Sequence, residues 1–114
     1  MSDCIFCKIA NKEIPSEILY EDDQILAFKD INPIAPVHLL VIPKKHIISV
    51  NDIVDEDTEV IGNIFIVIKK LAQQQGIAES GYRVITNIGR DGGQEVKHLH
   101  FHLIGGKELG KKIG

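Results

Sequence analysis

Three histidines alternate with apolar residues near the end of the chain, in the stretch HLHFH at residues 98–102. Successive side chains of a β-strand point to opposite faces, so this alternation predicts a strand with all three histidines on one face. The apolar residues between and after them then point into the core: Leu99, Phe101 and Leu103. We predict that the strand spans residues 95–104 and ends at the two glycines that follow. The chain must then form a sheet with one face in the core and a second face that presents the histidines.

Four further short runs have the residue types of strands, and they lie at 17–21, 24–29, 37–43 and 82–88. Two aspartates between the first two runs suit a tight hairpin turn. Residues 56–75 begin with acidic side chains and are followed by Gly76, which predicts the main helix. A short helix is predicted near residues 5–12. Together these elements predict an α+β fold with a mostly antiparallel five-stranded sheet, one long helix and one short helix.

The main helix is apolar on more than one side. One predicted core face is formed by Ile61, Ile64, Phe65, Ile68 and Leu71. Val60 and Val67 widen this face beyond what a surface helix needs. A helix of this kind packs on its own sheet and on a second surface, and we expect that surface to belong to a partner subunit.

Length and charge limit the classes of protein to which the chain can belong. Its 114 residues suffice for one domain, which we expect to span residues 1–114. A net charge of −3 argues against a general nucleic-acid binder, which normally has an excess of basic residues. The N-terminus lacks the pattern of a signal peptide, and the chain has no stretch of the roughly 20 apolar residues that a membrane span needs. We therefore expect a soluble cytoplasmic protein without nucleic-acid or membrane partners.

Three interpretations of the histidine face remain open on residue types alone. The histidines can be polar residues of a half-exposed sheet, they can share a metal ion, or one of them can attack an electrophile. A glycine-rich turn, GRDGG at 89–93, precedes them closely. Its backbone N–H groups can approach an anion, and this favours nucleophilic chemistry on a phosphate.

The stretch VKHLHFHLIGG at 96–106 resembles the motif of the histidine triad family, His-x-His-x-His followed by two apolar residues. The resemblance extends over residues 5–46 and 81–106, and the ending LIGG is similar to the Hint branch rather than to the Fhit-like dinucleotide hydrolases. It implies a HIT-like fold and a homodimer whose two sheets join into one. It also implies hydrolysis of purine nucleoside 5′-phosphoramidates, such as adenosine 5′-monophosphoramidate, through a covalent nucleotidyl-histidine and without a catalytic cofactor.

The same resemblance implies a role for each active-site histidine. His100 matches the nucleophile, and His102 matches the histidine that contacts the phosphate and the leaving group. His98 matches the first triad histidine, which supports the strand. His38 matches an upstream histidine that joins the hydrogen-bond network and helps to orient His100.

Nucleotide-binding residues follow from the resemblance as well. Asp30 matches the carboxylate that accepts both ribose hydroxyls, since two acceptor oxygens suit two adjacent donors. An apolar base pocket is implied for Phe6, Ile9, Ile14, Phe28, Ile31 and Leu40. Contacts on the phosphate side are implied for Asn87 and for the backbone of Gly93, Gln94, Glu95 and Val96. Glu95 departs from the serine of animal Hint enzymes, and its carboxylate repels a phosphate unless it is protonated, turned away or paired with a cationic amine.

Cys4 and Cys7 form a C-x-x-C at the start of the chain. Redox chemistry, two unpaired structural thiols and a zinc site are all open from the spacing alone. Resemblance to family members with a similar start implies a structural zinc ion held by Cys4, Cys7, His46 and His98, a closed Cys₂His₂ set.

Other functions remain open at this point. A dinucleotide polyphosphate hydrolase would use the same fold. A nucleotide-binding or partner-binding adaptor would catalyse only incidentally. A zinc hydrolase would use the histidine strand as its metal site.

Overall fold

A five-stranded antiparallel sheet organises the chain in the computed structural model, which describes residues 3–114. The elements in chain order are α1 (Ile5–Ala10), β1 (Ile18–Glu21), β2 (Ile25–Lys29), β3 (Val37–Pro43), α2 (Thr58–Gln74), β4 (Tyr82–Ile85) and β5 (Phe101–Gly105). The strands lie in the order β1-β2-β3-β5-β4, and each neighbouring pair is antiparallel. The predicted α+β class, the five strands and both helices are confirmed.

The central strand β3 is buried along its whole length because both faces of the sheet are covered. Helix α2 packs on one face, against residues that include Leu39, Val41 and Leu103. Helix α1 packs on the other face, against Leu26, Phe28, Leu40 and Ile42. In the register of β3 and β5, Leu40 pairs with His102 and Leu39 pairs with Leu103. His102 and Leu40 therefore lie on the face covered by α1, and Leu39 and Leu103 lie on the face covered by α2.

Helix α2 is rotated relative to the predicted core face. Its buried residues are Val60, Ile64, Val67, Ile68, Leu71 and Ala72. Phe65 belongs to the predicted apolar face, but it is 49% exposed and lies outside the core; only part of its ring rests on Phe101, at 5.5 Å between centroids. The apolar stripe is wide enough to allow either rotation, and contact with the sheet selected the one that buries Val60 and Val67. Within residues 3–114, no helix is both long and apolar enough to cross a membrane.

Strands β4 and β5 are shorter than the alternation predicts. The last strand begins at Phe101 and not near residue 95, so His98 and His100 precede it in an irregular segment. The backbone groups of that segment bond outside any strand ladder. The Leu99 N–H donates to the Ile47 carbonyl at 2.6 Å, and the Thr86 hydroxyl donates to the His100 carbonyl at 2.8 Å. These bonds replace the missing ladder, as buried backbone groups require.

Candidate active site

A cavity of about 360 Å³ opens between α1 and the sheet face that carries His102, and we call it the histidine cavity. Its lining includes all six residues predicted to contact a base: Phe6, Ile9, Ile14, Phe28, Ile31 and Leu40. Ile31 stands at the rim, because it is 86% exposed. The polar lining includes Asp30, Asn87, Glu95, His100 and His102. Four further residues line the cavity and were missed, and each lies within two positions of a predicted residue in the chain: Ile5, Pro15, Ser16 and Lys29.

His100 is buried, and its ring orientation is set by the backbone. Its Nδ1 lies 2.7 Å from the carbonyl oxygen of His98. A carbonyl can only accept, so Nδ1 carries the proton and donates, and the neutral ring keeps its lone pair on Nε2. The ring of Phe6 stands edge-on to His100, with 5.1 Å between centroids. The site thus presents one imidazole nitrogen that can attack an electrophile in the cavity.

His38 links Asp30 to His102. The Ile34 N–H donates to His38 Nδ1 at 3.2 Å, which leaves the His38 proton on Nε2. That nitrogen lies 2.9 Å from Nδ1 of His102 and 3.3 Å from Oδ2 of Asp30. His38 thus bonds directly to His102, and the hydrogen bond that His100 itself donates goes to the His98 carbonyl.

His102 is neutral at physiological pH. Burial and, to a smaller extent, the nearby imidazoles of His100 and His38 lower the pKa of His102 to about 4, although the Asp30 carboxylate acts in the opposite direction. Since Nδ1 of His102 accepts from His38, the proton of the neutral ring is on Nε2. His102 can therefore act as a hydrogen-bond donor to an anion without carrying a charge.

Asp30 is held at the cavity edge, directly after β2. Its Oδ1 accepts the Asn32 N–H at 2.8 Å, and its Oδ2 faces His38. Each carboxylate oxygen has two lone pairs, so both oxygens can accept one more donor from a ligand. This geometry suits a pair of adjacent hydroxyl groups.

The glycine-rich turn approaches the cavity through close backbone packing. A Cβ at Gly92 would lie 2.3 Å from the carbonyl oxygen of Ile88, and Gly93 has φ +77°, which disfavours other residues. Asn87 donates its side-chain amide to the Gly92 carbonyl at 2.7 Å. Gly93 and Asn87 both line the cavity as a result.

Gln94 differs from its neighbours in the turn. Its amide nitrogen donates to the carbonyls of Ile48 and Val96 at 2.7 and 3.0 Å, and its oxygen accepts from the Gly89 N–H at 3.0 Å. The Gln94 side chain thus holds the turn in place rather than reaching a ligand. Glu95 is exposed and lines the cavity together with Val96.

Four predicted metal ligands meet beside the cavity, and we call them the Cys/His cluster. Their ligand atoms all lie within 4.8 Å of one another: Cys4, Cys7, His46 and His98. His98 Nδ1 lies 3.2 Å from the sulfur of Cys4 and 3.5 Å from that of Cys7, and His46 Nδ1 lies 3.3 Å from the Cys7 sulfur. These separations suit four ligands around one metal ion.

The hydrogen bonding of His98 leaves its Nδ1, which faces the two cysteine sulfurs, free to bind a metal. Its Nε2 lies 2.7 Å from the Pro43 carbonyl, so Nε2 donates and Nδ1 presents its lone pair to the two sulfurs. Burial lowers the pKa of His98 to about 4, which keeps the ring neutral. Burial and the neighbouring Cys4 raise the pKa of the Cys7 thiol to about 11, so metal binding there must displace a proton. Two thiols and two neutral imidazoles fit a metal of the zinc type.

Comparison with known proteins identifies the family. A HIT family hydrolase from Clostridium thermocellum superposes on this chain with a TM-score of 0.96 and 50% identity, covering 99% of this chain and 98% of that one. A HIT-like protein from Rickettsia prowazekii is 50% identical over 106 residues, which are 92% of this chain and 88% of that protein. The chain belongs to the histidine triad (HIT) family. The resemblance found in the sequence is confirmed.

Two further similarities refine the place of this HIT protein. The sequence profile described as "Scavenger mRNA decapping enzyme C-term binding" matches residues 3–113. A protein of Escherichia coli K12 named purine nucleoside phosphoramidase is 52% identical over 109 residues, which are 96% of this chain and 92% of that protein. This HIT protein is thus a homologue of a purine nucleoside phosphoramidase and belongs to a family of hydrolases.

Proposed function

We propose that this HIT protein hydrolyses purine nucleoside 5′-phosphoramidates through a nucleotidyl intermediate on His100. The observation that carries the proposal is the bond from His100 Nδ1–H to the His98 carbonyl, which leaves Nε2 free to attack within the histidine cavity. Identity of 52% with the purine nucleoside phosphoramidase supports the choice of substrate class. The cavity combines an apolar wall with a few polar groups, as nucleotide sites do.

In the proposed reaction, His100 Nε2 forms a bond to the α-phosphorus and the bond from phosphorus to the amine nitrogen breaks. The leaving nitrogen keeps the electron pair of the broken bond, takes a proton from solvent and departs as the amine. Water then cleaves the nucleotidyl-histidine bond, which releases the nucleoside monophosphate and restores the imidazole. The reaction consumes one water molecule. Positioning and charge stabilisation supply most of the rate enhancement in phosphoryl transfer.

The other residues of the cavity bind and orient the nucleotide in this proposal. His102 Nε2–H donates to a phosphoryl oxygen or to the leaving amine, and His38 keeps the His102 proton on that nitrogen. Asp30 accepts the ribose hydroxyls. The apolar wall around Phe28 and Leu40 holds the purine. Backbone groups of the glycine-rich turn lie on the phosphate side.

We also propose that the Cys/His cluster binds a structural zinc ion. A bound zinc would be held by Cys4, Cys7, His46 and His98, with no open position for substrate. It would supply a cross-link between the N-terminal segment and the segment before β5, and no chemical step. Catalysis is proposed to need no metal.

A homodimer is the proposed assembly. Phe65 and Ile66 expose about half of their side-chain surface on α2, at 49% and 51%. Val84 and Tyr82 of β4 also expose apolar surface, and β4 is an outer strand of the described sheet. An uncovered apolar surface beside an open strand edge is typical of an association site.

The decisive test is turnover of adenosine 5′-monophosphoramidate by wild type and by His100→Asn, with zinc measured on both. Asn can still donate to the His98 carbonyl but offers no nucleophilic nitrogen, so we expect a loss of at least about a thousandfold in kcat, as for other removed nucleophiles. Unchanged turnover by the variant would rule out His100 as the nucleophile. Faster cleavage of a diadenosine polyphosphate than of the phosphoramidate would favour a dinucleotide hydrolase instead.

A further inference from the structure

Phe6 connects the two sites of the molecule. It lies between Cys4 and Cys7 in the chain, at the start of α1. Its ring packs edge-on against His100, with 5.1 Å between centroids, and against Phe28, with 5.5 Å between centroids. The residue that forms part of the cavity wall is thus anchored on both sides by ligands of the Cys/His cluster.

His98 makes a second connection. Its side chain faces the sulfurs of the cluster, and its other ring nitrogen donates to Pro43. Its backbone carbonyl accepts the proton of His100 Nδ1 at 2.7 Å. Any interaction that holds the His98 side chain in place therefore also holds the His98 carbonyl, which orients His100.

Phe6 and Ile9 pack on the sheet, and the N-terminal end of the segment that carries them is held at the Cys/His cluster. Helix α1 has only six residues, and isolated helices below about 12 residues are marginal in water. Its N-terminal cap is the Cys4 sulfur, which accepts the Cys7 N–H at 3.3 Å, and sulfur is a weak acceptor. Without a metal, the cluster contributes only weak contacts between thiols and imidazoles. A bound ion replaces them with four coordinate bonds.

We propose that metal bound at the Cys/His cluster positions Phe6 and the His98 carbonyl against His100, so that metal binding and nucleotide binding are thermodynamically coupled. The inference rests on the proposed nucleotide function of the histidine cavity. Ordering α1 before the nucleotide arrives removes an ordering cost from nucleotide binding. Such couplings usually amount to about 5- to 150-fold in affinity, and linkage makes them reciprocal.

The test compares affinity for adenosine monophosphate, measured by calorimetry, in zinc-loaded and chelator-treated wild type. Circular dichroism checks that the treated protein stays folded. We expect affinity to fall at least about fivefold without metal. Amide hydrogen exchange should increase in residues 5–10. In the reverse direction, adenosine monophosphate should raise the affinity for zinc by the same factor, measured against a competing chelator.

Three variants separate coupling from general damage. The described lining of the histidine cavity does not include His46, so His46→Asn removes a ligand without touching the nucleotide. This variant should lose zinc, and it should bind adenosine monophosphate as weakly as the chelator-treated wild type does. His46→Cys restores a ligand and should rescue both properties. Phe6→Leu should still bind metal, seen as sulfur-to-cobalt absorption after Co²⁺ substitution. In this variant, metal should no longer change the affinity for adenosine monophosphate, and the nucleotide should no longer change the affinity for zinc.

The outcomes distinguish this inference from the proposed function. If metal-free wild type and His46→Asn stay folded and bind adenosine monophosphate as tightly as the zinc-loaded protein, the coupling does not exist. If the wild type takes up neither Zn²⁺ nor Co²⁺, the inference fails while the hydrolase proposal stands. If the loaded wild type does not bind adenosine monophosphate at all, both fail.

Discussion

The carbonyl oxygen of His98 accepts the Nδ1 proton of His100 at 2.7 Å. This contact determines which nitrogen of the buried His100 ring is free, and it does so through the backbone of a residue whose side chain faces the Cys/His cluster. A backbone acceptor cannot rotate away as a side chain can. The orientation of His100 therefore depends on how firmly the segment before β5 is held.

Asp30→Asn should mainly weaken substrate binding. The change keeps the shape of the side chain and removes the negative charge that would accept two ribose hydroxyls. Hydrogen bonds to charged groups contribute about 1.5–3 kcal/mol, so we expect a rise in KM of about 10- to 100-fold for a ribonucleoside phosphoramidate. The variant and wild type should differ much less on a 2′,3′-dideoxy substrate.

Asp23→Asn is the matched control for that experiment, because Asp23 is exposed in the hairpin turn between β1 and β2. Its KM should equal that of wild type. An equal loss on the ribose and dideoxy substrates would show that Asp30 acts through His38 and not through the ribose.

Acid should destabilise the fold through His102. Its pKa is about 4 in the folded protein, mainly because of burial, against an ordinary value of 6.5. Between these values the unfolded chain binds more protons, so stability is complete above about pH 6.5 and declines as the pH falls towards 4. Urea denaturation at a series of pH values should show this slope in wild type, and His102→Gln should show a shallower one. Identical slopes would mean that His102 is not held neutral by burial.

Gly92→Ala should damage the glycine-rich turn. The added methyl group would meet the Ile88 carbonyl oxygen at 2.3 Å, so the backbone must move. We expect a loss of about 1–3 kcal/mol in the free energy of unfolding, as for strained backbone positions, together with lower kcat because phosphate contacts shift. Thermal unfolding and steady-state kinetics measure the two effects.

Gly62→Ala provides the opposite case on α2. In the part of the chain that the structure describes, nothing apart from the backbone of the same helix lies within 4 Å of a Cβ at Gly62. The substitution should stabilise the protein by about 0.5–1 kcal/mol, the usual difference between Ala and Gly inside a helix. If both alanine variants lost stability equally, close packing at Gly92 would not be the cause.

Phe65→Glu should prevent the proposed dimer. It places a charge in the exposed apolar surface of α2 while leaving the core residues of that helix unchanged. Analytical ultracentrifugation should report a monomer for the variant and a dimer for wild type. Ile113→Glu, at a fully exposed position near the C-terminus, should remain dimeric. A monomeric wild type would leave the exposed surface without its proposed partner.

Much of the fold was predictable because its signals are local. The hairpin of β1 and β2, the strand β3 and the helix α2 all lie within two residues of their predicted ends. Except for Gln94, the residues to which the resemblance assigned nucleotide contacts line the histidine cavity, and their role in binding stays a prediction. The Cys/His cluster also meets as expected.

Other features depended on distant contacts and were not predictable from the pattern. Phe65 and Val67 are both apolar, and only contact with the sheet determined which of them is buried. The irregular segment before Phe101 arises because Ile47 and Thr86 bind its backbone. The side-chain amide of Gln94 stabilises the turn by donating to the carbonyl of Ile48, a residue that is remote in sequence.

The sequence by itself determined that three imidazoles lie close together, because the three histidines are only two residues apart in the chain. The tertiary structure decided what each imidazole can do. Nε2–H of His98 donates to the Pro43 carbonyl, which leaves Nδ1 free for a metal. Nδ1–H of His100 donates to the His98 carbonyl, which leaves Nε2 free for attack. The reason is physical: a neutral imidazole has one proton and one lone pair, and the nearest carbonyl decides which nitrogen has which.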